Sequence, residues 1–218
     1  MSLSRLTRCI RSNPPTALAL TLASVILTGT ITTPAYSAEP YLYKIEEDWE
    51  LVINDPAPAI HSPQLTIYTS PVSDGASKYF QLQLNHAADA WFSGGGFQVA
   101  AAVNEEVMDR ARSDVQTALT TSGDTISWTV VMACLDNEFL YAVKDGNSAS
   151  WGSFGGPEYL VRMPSGEIQD LTGYQYQNSF DSLDIGFGAN RVQSLKLKQV
   201  RLFDSAGGVQ EITVNQQF

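Results

Sequence analysis

From Tyr41 onward the chain alternates apolar and polar residues with a period of two. Tyr43, Ile45, Trp49, Leu51 and Ile53 alternate with Lys44, Glu46, Asp48, Glu50 and Val52, and only Glu47 breaks the pattern. Asn54-Asp55-Pro56-Ala57-Pro58 ends that run. Successive side chains of a strand point to opposite faces, so this alternation predicts strands with one face on a core. Leu65, Ile67 and Thr69 predict a second strand. Phe80, Leu82 and Leu84, set against Tyr79, Gln81, Gln83 and Asn85, predict a third. Phe97, Val99, Ala101 and Val103 predict a fourth, entered through Gly94-Gly95-Gly96.

The stretch 124–154 reads as an antiparallel meander. Ile126, Trp128, Val130, Met132 and Cys134 share one parity of a strand that meets the polar turn Asp136-Asn137. Phe139, Tyr141 and Val143 then share one face of a strand over 138–144. Asp145-Gly146 is a favoured two-residue hairpin turn, and it predicts a third strand over 148–154. Further runs at 159–163, 174–178, 182–187, 192–203 and 209–215 predict more strands. The parity slip between Leu197 and Val200 predicts a bulge. One segment reads two ways. In 104–119, Val107, Ala111, Val115 and Leu119 recur every four residues behind Asn104 as an N-cap, which predicts a short helix. Val115, Thr117 and Leu119 also alternate, which predicts a strand. The whole is an all-β pattern, a two-sheet antiparallel sandwich with at most one short helix.

The segment before this pattern is of another kind. Arg5, Arg8 and Arg11 precede an uncharged, mostly apolar run from Ala17 to Ile31. Pro34 and Ala35-Tyr36-Ser37 then set small residues for cleavage beside Ala38. Residues 1–37 therefore read as an export signal, and the run of about 15 residues is short of the ~20 that a spanning helix needs. This predicts a secreted or periplasmic domain over 38–218 with no integral membrane span. The chain carries 13 Lys+Arg against 23 Asp+Glu, a net charge of −10, which argues against nucleic acid as a partner. Cys9 leaves with the signal, so Cys134 is alone and can close no internal disulfide. Its place on an apolar strand face marks it as a small hydrophobe rather than a nucleophile.

Two stretches bring a family into view. "WTVVMACLDNEFLYAVKDGNSASWGSF" at 128–154 resembles the central hairpins of concanavalin A-like, laminin-G-like jelly rolls. "SLDIGFGANRVQSLKLKQVRLF" at 182–203 resembles the closing strands of that superfamily. "YFQLQLNH" and "GGFQVAAAV" fit its intervening strands. The resemblance implies a jelly-roll sandwich. Since the superfamily includes lectin domains, glycosidases and protein-binding modules, it implies extracellular recognition without naming a ligand.

Three chemistries compete for the face residues. Glu46, Asp48 and Glu50 share one side of a strand and resemble the E-x-D-x-E run of jelly-roll retaining glycosidases. That likeness implies Glu46 as nucleophile, Asp48 as its helper and Glu50 as acid/base. The run lies too near the start of the domain for that class, and the alternative is a solvent-facing strand side. Calcium is the one metal for which ligands suggest themselves, at Asp136, Asn137 and Asp145 with Glu138 nearby. His61 and His86 have no metal-ligand spacing. Carbohydrate is the third. Tyr79, Gln81, Gln83 and Asn85 form one polar row with a phenol, and Tyr174 and Tyr176 with Asn178 form another. Trp91 and Phe92 beside the glycine cluster read as a loop platform, and Trp151 as core. The expected activity is non-catalytic recognition of a glycan or an extracellular protein. A glycoside hydrolase using Glu46, Asp48 and Glu50, and a structural accessory domain, are the alternatives.

Overall fold

The computed structural model describes residues 39–54, 64–85, 96–113, 119, 121–186 and 189–217, without the side chains of 180 and 181. The expected export segment lies outside these residues, as do His61, His86, Trp91 and Phe92. The described chain is an all-β sandwich. One sheet is built from β1 (Leu42–Ile53), β6 (Thr125–Leu135), β7 (Glu138–Ser148), β8 (Gly152–Phe154), β9 (Val161–Pro164), β11 (Val192–Asp204) and β12 (Val209–Gln217). Its order is β12-β11-β1-β6-β7-β8, with β9 sharing the edge of β7. The other is built from β2 (Leu65–Thr69), β3 (Lys78–Leu84), β4 (Phe97–Val103), β5 (Glu106–Arg112) and β10 (Leu183–Ile185), in the order β10-β2-β3-β4-β5. All pairings are antiparallel. Among the described residues one α-helix, α1 (Tyr176–Asp181), precedes β10.

The apolar parities read from the sequence meet in the middle. Ile45, Trp49, Leu51 and Ile53 of β1 join Ile126 to Met132 of β6, Phe139 to Val143 of β7, and Phe80, Leu82 and Leu84 of β3 in one buried cluster. Trp49 and Trp128 stack with centroids 6.2 Å apart, and Phe80 reaches across the sheets to stack on Tyr141 at 4.8 Å. Burying side chains of this size supplies most of the drive to fold. The predicted bulge is present. Leu197 and Gln199 are register neighbours across a shift, so Lys198 is the extra residue. Leu197 and Val200 consequently both face the core.

Three expectations fail for local reasons. Of the two readings of 104–119, the helix is not met over 104–112, where β5 stands instead. Asn104 and Glu105 adopt left-handed backbone, with φ of 49° and 70°, and close a two-residue hairpin from β4 into β5. Asn104 is thus a turn former instead of a helix cap; residues 114–118 lie outside the described set. Asp145-Gly146 is not a hairpin turn. β7 runs through it, and its register with β6 shifts between Thr129↔Lys144 and Ser127↔Asn147. The left-handed Asp145 makes a bulge, and the chain turns later, at 149–151. Gly146 is required there because a Cβ would lie 2.5 Å from the Phe154 ring. Third, 174–178 is not a strand but the approach to α1.

The displaced turn has its own anchor. Asp124, buried just before β6, accepts hydrogen bonds from the Ala149 and Ser150 amides at 2.7 and 2.9 Å and from Ser150 Oγ at 2.7 Å. Asp124→Ala strands these donors and is expected to cost about 2–3 kcal/mol, read as a lower urea midpoint. An unchanged midpoint would show that the carboxylate does not hold the turn.

Candidate functional site

β1 presents its two faces to different worlds. On the outer face Glu46, Asp48 and Glu50 do stand together, as the spacing required, but each is held by a cation. Lys144 lies 3.0 Å and Lys44 3.3 Å from Glu46, and Arg201 bridges Glu46 and Asp48. Arg201 donates to both Asp48 oxygens at 2.7 and 2.8 Å, Thr129 donates to Asp48 at 2.8 Å, and Lys198 pairs with Glu50 at 3.1 Å. Burial pushes the Glu46 carboxyl up, but Lys144 and Lys44 outweigh it and hold Glu46 below the usual carboxylate range. The Asp48 carboxylate beside it raises the Arg201 guanidinium, which stays charged. A glycosidase nucleophile needs a carboxylate open to the sugar, and here both Glu46 oxygens are taken up by Lys144, Lys44 and Arg201. The arrangement is an ion-pair lattice that ties β1 to β6, β7 and β11.

The core face of β1 carries the residue that broke the sequence pattern. Glu47 is 1% exposed, and β1 passes it with unbroken register to β6. Tyr174 donates to Glu47 Oε1 at 2.6 Å, Ser179 donates to the same oxygen at 2.9 Å, and Trp49 Nε1 donates to Oε2 at 2.9 Å. Loss of solvent raises the Glu47 carboxyl above its ordinary value despite these donors. Burial and the neighbouring Glu47 also push the Tyr174 phenol well up. This is why 174–178 leaves the strand pattern. The Tyr174 hydroxyl and the first turns of α1 fold inward onto a buried acceptor. Tyr174 therefore does not present its hydroxyl on an open platform, and Tyr176 opens the helix instead of standing beside it on a strand face.

The Tyr79 row holds in part. Tyr79, Gln81 and Gln83 lie on the outer face of the five-stranded sheet, opposite buried Phe80, Leu82 and Leu84. Asn85 does not join them. It follows the end of β3 with φ 57° and is fully buried. Register instead adds residues that the sequence reading did not group. Tyr68 pairs with Gln81, Gln98 with Gln83, and Arg112 with Gln98. Tyr68 and Tyr79 meet edge to face at 5.7 Å. The Gln81 amide donates to the Tyr68 hydroxyl at 3.4 Å, that of Gln98 to Gln83 at 2.7 Å, and Arg112 Nε donates to Gln98. Ala100 and Ala102 lie between the longer residues of β3 and β5 on this face. The only signal in the sequence was their parity within β2, β4 and β5; the cross-strand order was not written there.

The oxygen-rich residues considered for calcium are not gathered. Asp136 and Asn137 form the left-handed turn between β6 and β7, while Asp145 lies at the bulge toward the other end of β7, 3.8 Å from Lys144. Among the described residues no group of three or more His, Cys, Asp or Glu side chains is placed to hold a metal. Glu138 is paired with Arg162. Cys134 is buried, and loss of solvent followed by Asp170 raises its thiol. Trp151 packs edge to face on Phe154, beside the core.

No family model matches the chain, and no curated protein matches it in sequence. Among solved structures, the crystal structure of an ancestral congerin aligns at 10% identity, over 75% of this chain and 94% of its own, with a TM-score of 0.35. The sandwich is read from the sheets themselves. Among the described residues no helix is long and apolar enough to cross a membrane.

Proposed function

We propose that the protein is an exported, non-catalytic recognition domain that binds glycan across the outer face of its five-stranded sheet. The observation that carries this reading is the ordered row Gln83–Gln98–Arg112 beside the Tyr68–Tyr79 pair. A sugar offers hydroxyls to amides and a C–H face to phenol rings, and this face has both in fixed positions. Side chains already held by neighbours lose less freedom when a ligand arrives. The carboxylates that would serve a hydrolase are engaged by Lys and Arg on the other sheet, which favours recognition over hydrolysis. The leader-like segment 1–37 supports export.

Binding on a broad glycan array, followed by titration calorimetry, tests this. Tyr79→Ala is expected to weaken the best glycan about tenfold, by removing a stacking surface, with the melting temperature nearly unchanged. Glycan turnover by the wild type that Glu50→Gln abolishes would replace this reading with the hydrolase.

A further inference from the structure

We propose that the glycan bound by this face carries a negative charge, a carboxylate or a sulfate, received by Arg112 with Arg110 beside it. This rests on the recognition reading above and names its ligand class. Arg110 and Arg112 alternate on β5 and pair with Ala100 and Gln98, so both belong to the outer face that carries Gln83 and Tyr79. Both are exposed.

Neither guanidinium has a counter-ion among the described residues, which leaves both open to a ligand. Acids outnumber bases 23 to 13, so partners abound. Lys44, Lys144, Arg162, Lys198 and Arg201 each have one, while Lys78 donates to the Pro164 carbonyl and Lys196 has no acid partner among the described residues. Among the described residues no acid pairs with Arg110 or Arg112, and Asp109, just before Arg110, accepts from the Arg110 amide and from the Arg162 amide of β9.

Arg112 is also held. Its Nε donates to Gln98, and Gln98, 3% exposed, is fixed from its other end by Gln83. A buried amide bonded at both ends sets the plane of the guanidinium and leaves the terminal nitrogens as donors. Such a fork matches the paired oxygens of a carboxylate or sulfate. The small Ala100, between Gln81 and Arg110, leaves the approach to the Gln and Tyr row low. A saccharide there meets amides and phenols along its ring and guanidinium at its anionic group. The acidic remainder of the domain repels polyanions, so attraction is confined to this edge.

Matched probes test the idea by titration calorimetry: dextran against dextran sulfate, and methyl-esterified against de-esterified homogalacturonan. The charged member of at least one pair is expected to bind more tightly than its neutral twin, and which pair responds separates sulfate from carboxylate. Arg112→Gln is expected to weaken that binding about tenfold or more. Gln98→Leu, which keeps the charge but frees the guanidinium, is expected to weaken it several-fold, a loss that general electrostatics would not give. Thermal melts confirm that each variant is folded. Equal binding of charged and neutral members, or charged binding indifferent to Arg112→Gln and Arg110→Gln, overturns the anionic assignment and leaves glycan recognition standing. No binding to either pair or to any member of the array overturns both.

Discussion

Glu47→Ala is expected to destabilise the domain by about 4 kcal/mol, because three donors converge on that carboxyl from inside the sandwich. Tyr174 Oη, Ser179 Oγ and Trp49 Nε1 each lose an acceptor where no bulk water replaces it. Urea unfolding measures the effect. The loss falls on the segment that carries Tyr174 and α1, so amide exchange there is expected to accelerate first. Glu47→Gln separates hydrogen bonding from charge. Burial raises the folded-state value of Glu47 above the ordinary carboxylate value of 4.5. A raised acid contributes stability that is fully present below its unfolded value and is lost as pH rises through its folded value. The wild type is therefore expected to lose stability relative to Glu47→Gln as pH climbs from about 4.5 through the raised value, and to run parallel to it on either side. A wild-type-minus-Gln difference that is flat, or that grows with pH, would show that the carboxyl is not held in its neutral form by burial.

The second large effect is expected at Trp128. Its ring lies parallel to Trp49, with an interplanar angle of 2°, and is 2% exposed. Trp128→Ala removes one of the largest fully packed side chains and is expected to cost about 3–5 kcal/mol. Trp128→Phe is expected to cost less. It keeps an aromatic face for Trp49 and removes an indole N–H that has no hydrogen-bond partner among the described residues. Denaturation midpoints that rank Phe with Ala would show that the full indole, and not an aromatic face alone, is what the core packs on. Near-ultraviolet dichroism reports whether the paired-indole environment survives.

These two residues also show where sequence reading reaches and where it stops. Trp128 was placed correctly from one line of text, because alternation in an 11-residue strand assigns a face without reference to any other element. Glu47 was equally visible as the one acid out of phase in β1, and the structure puts it on the core face. What it was doing there depended on Tyr174 and Ser179, 127 and 132 residues away. The same distance limit explains the second tyrosine row. Tyr174, Tyr176 and Asn178 alternate as a strand would, but hydrogen bonds to a buried acceptor on another sheet outweigh so short a pattern. Turn chemistry failed in a related way. An Asp-Gly pair accepts left-handed backbone, and left-handed backbone serves a bulge as well as a hairpin; the register with β6 and the Phe154 ring against Gly146 made the choice.

The amino-acid order alone determined the period of two, hence an all-β chain, the faces of the longer strands, the bulge beside Lys198 and the companionship of Glu46, Asp48 and Glu50. These follow from the geometry of a single extended strand, which repeats every two residues whatever surrounds it. Tertiary structure decided which strands lie side by side. It thereby set the cations around the three carboxylates, the donors around Glu47 and the line from Gln83 through Gln98 to Arg112. Such contacts join residues distant along the chain, and the free energy that selects among alternative pairings resides in the closed sandwich as a whole.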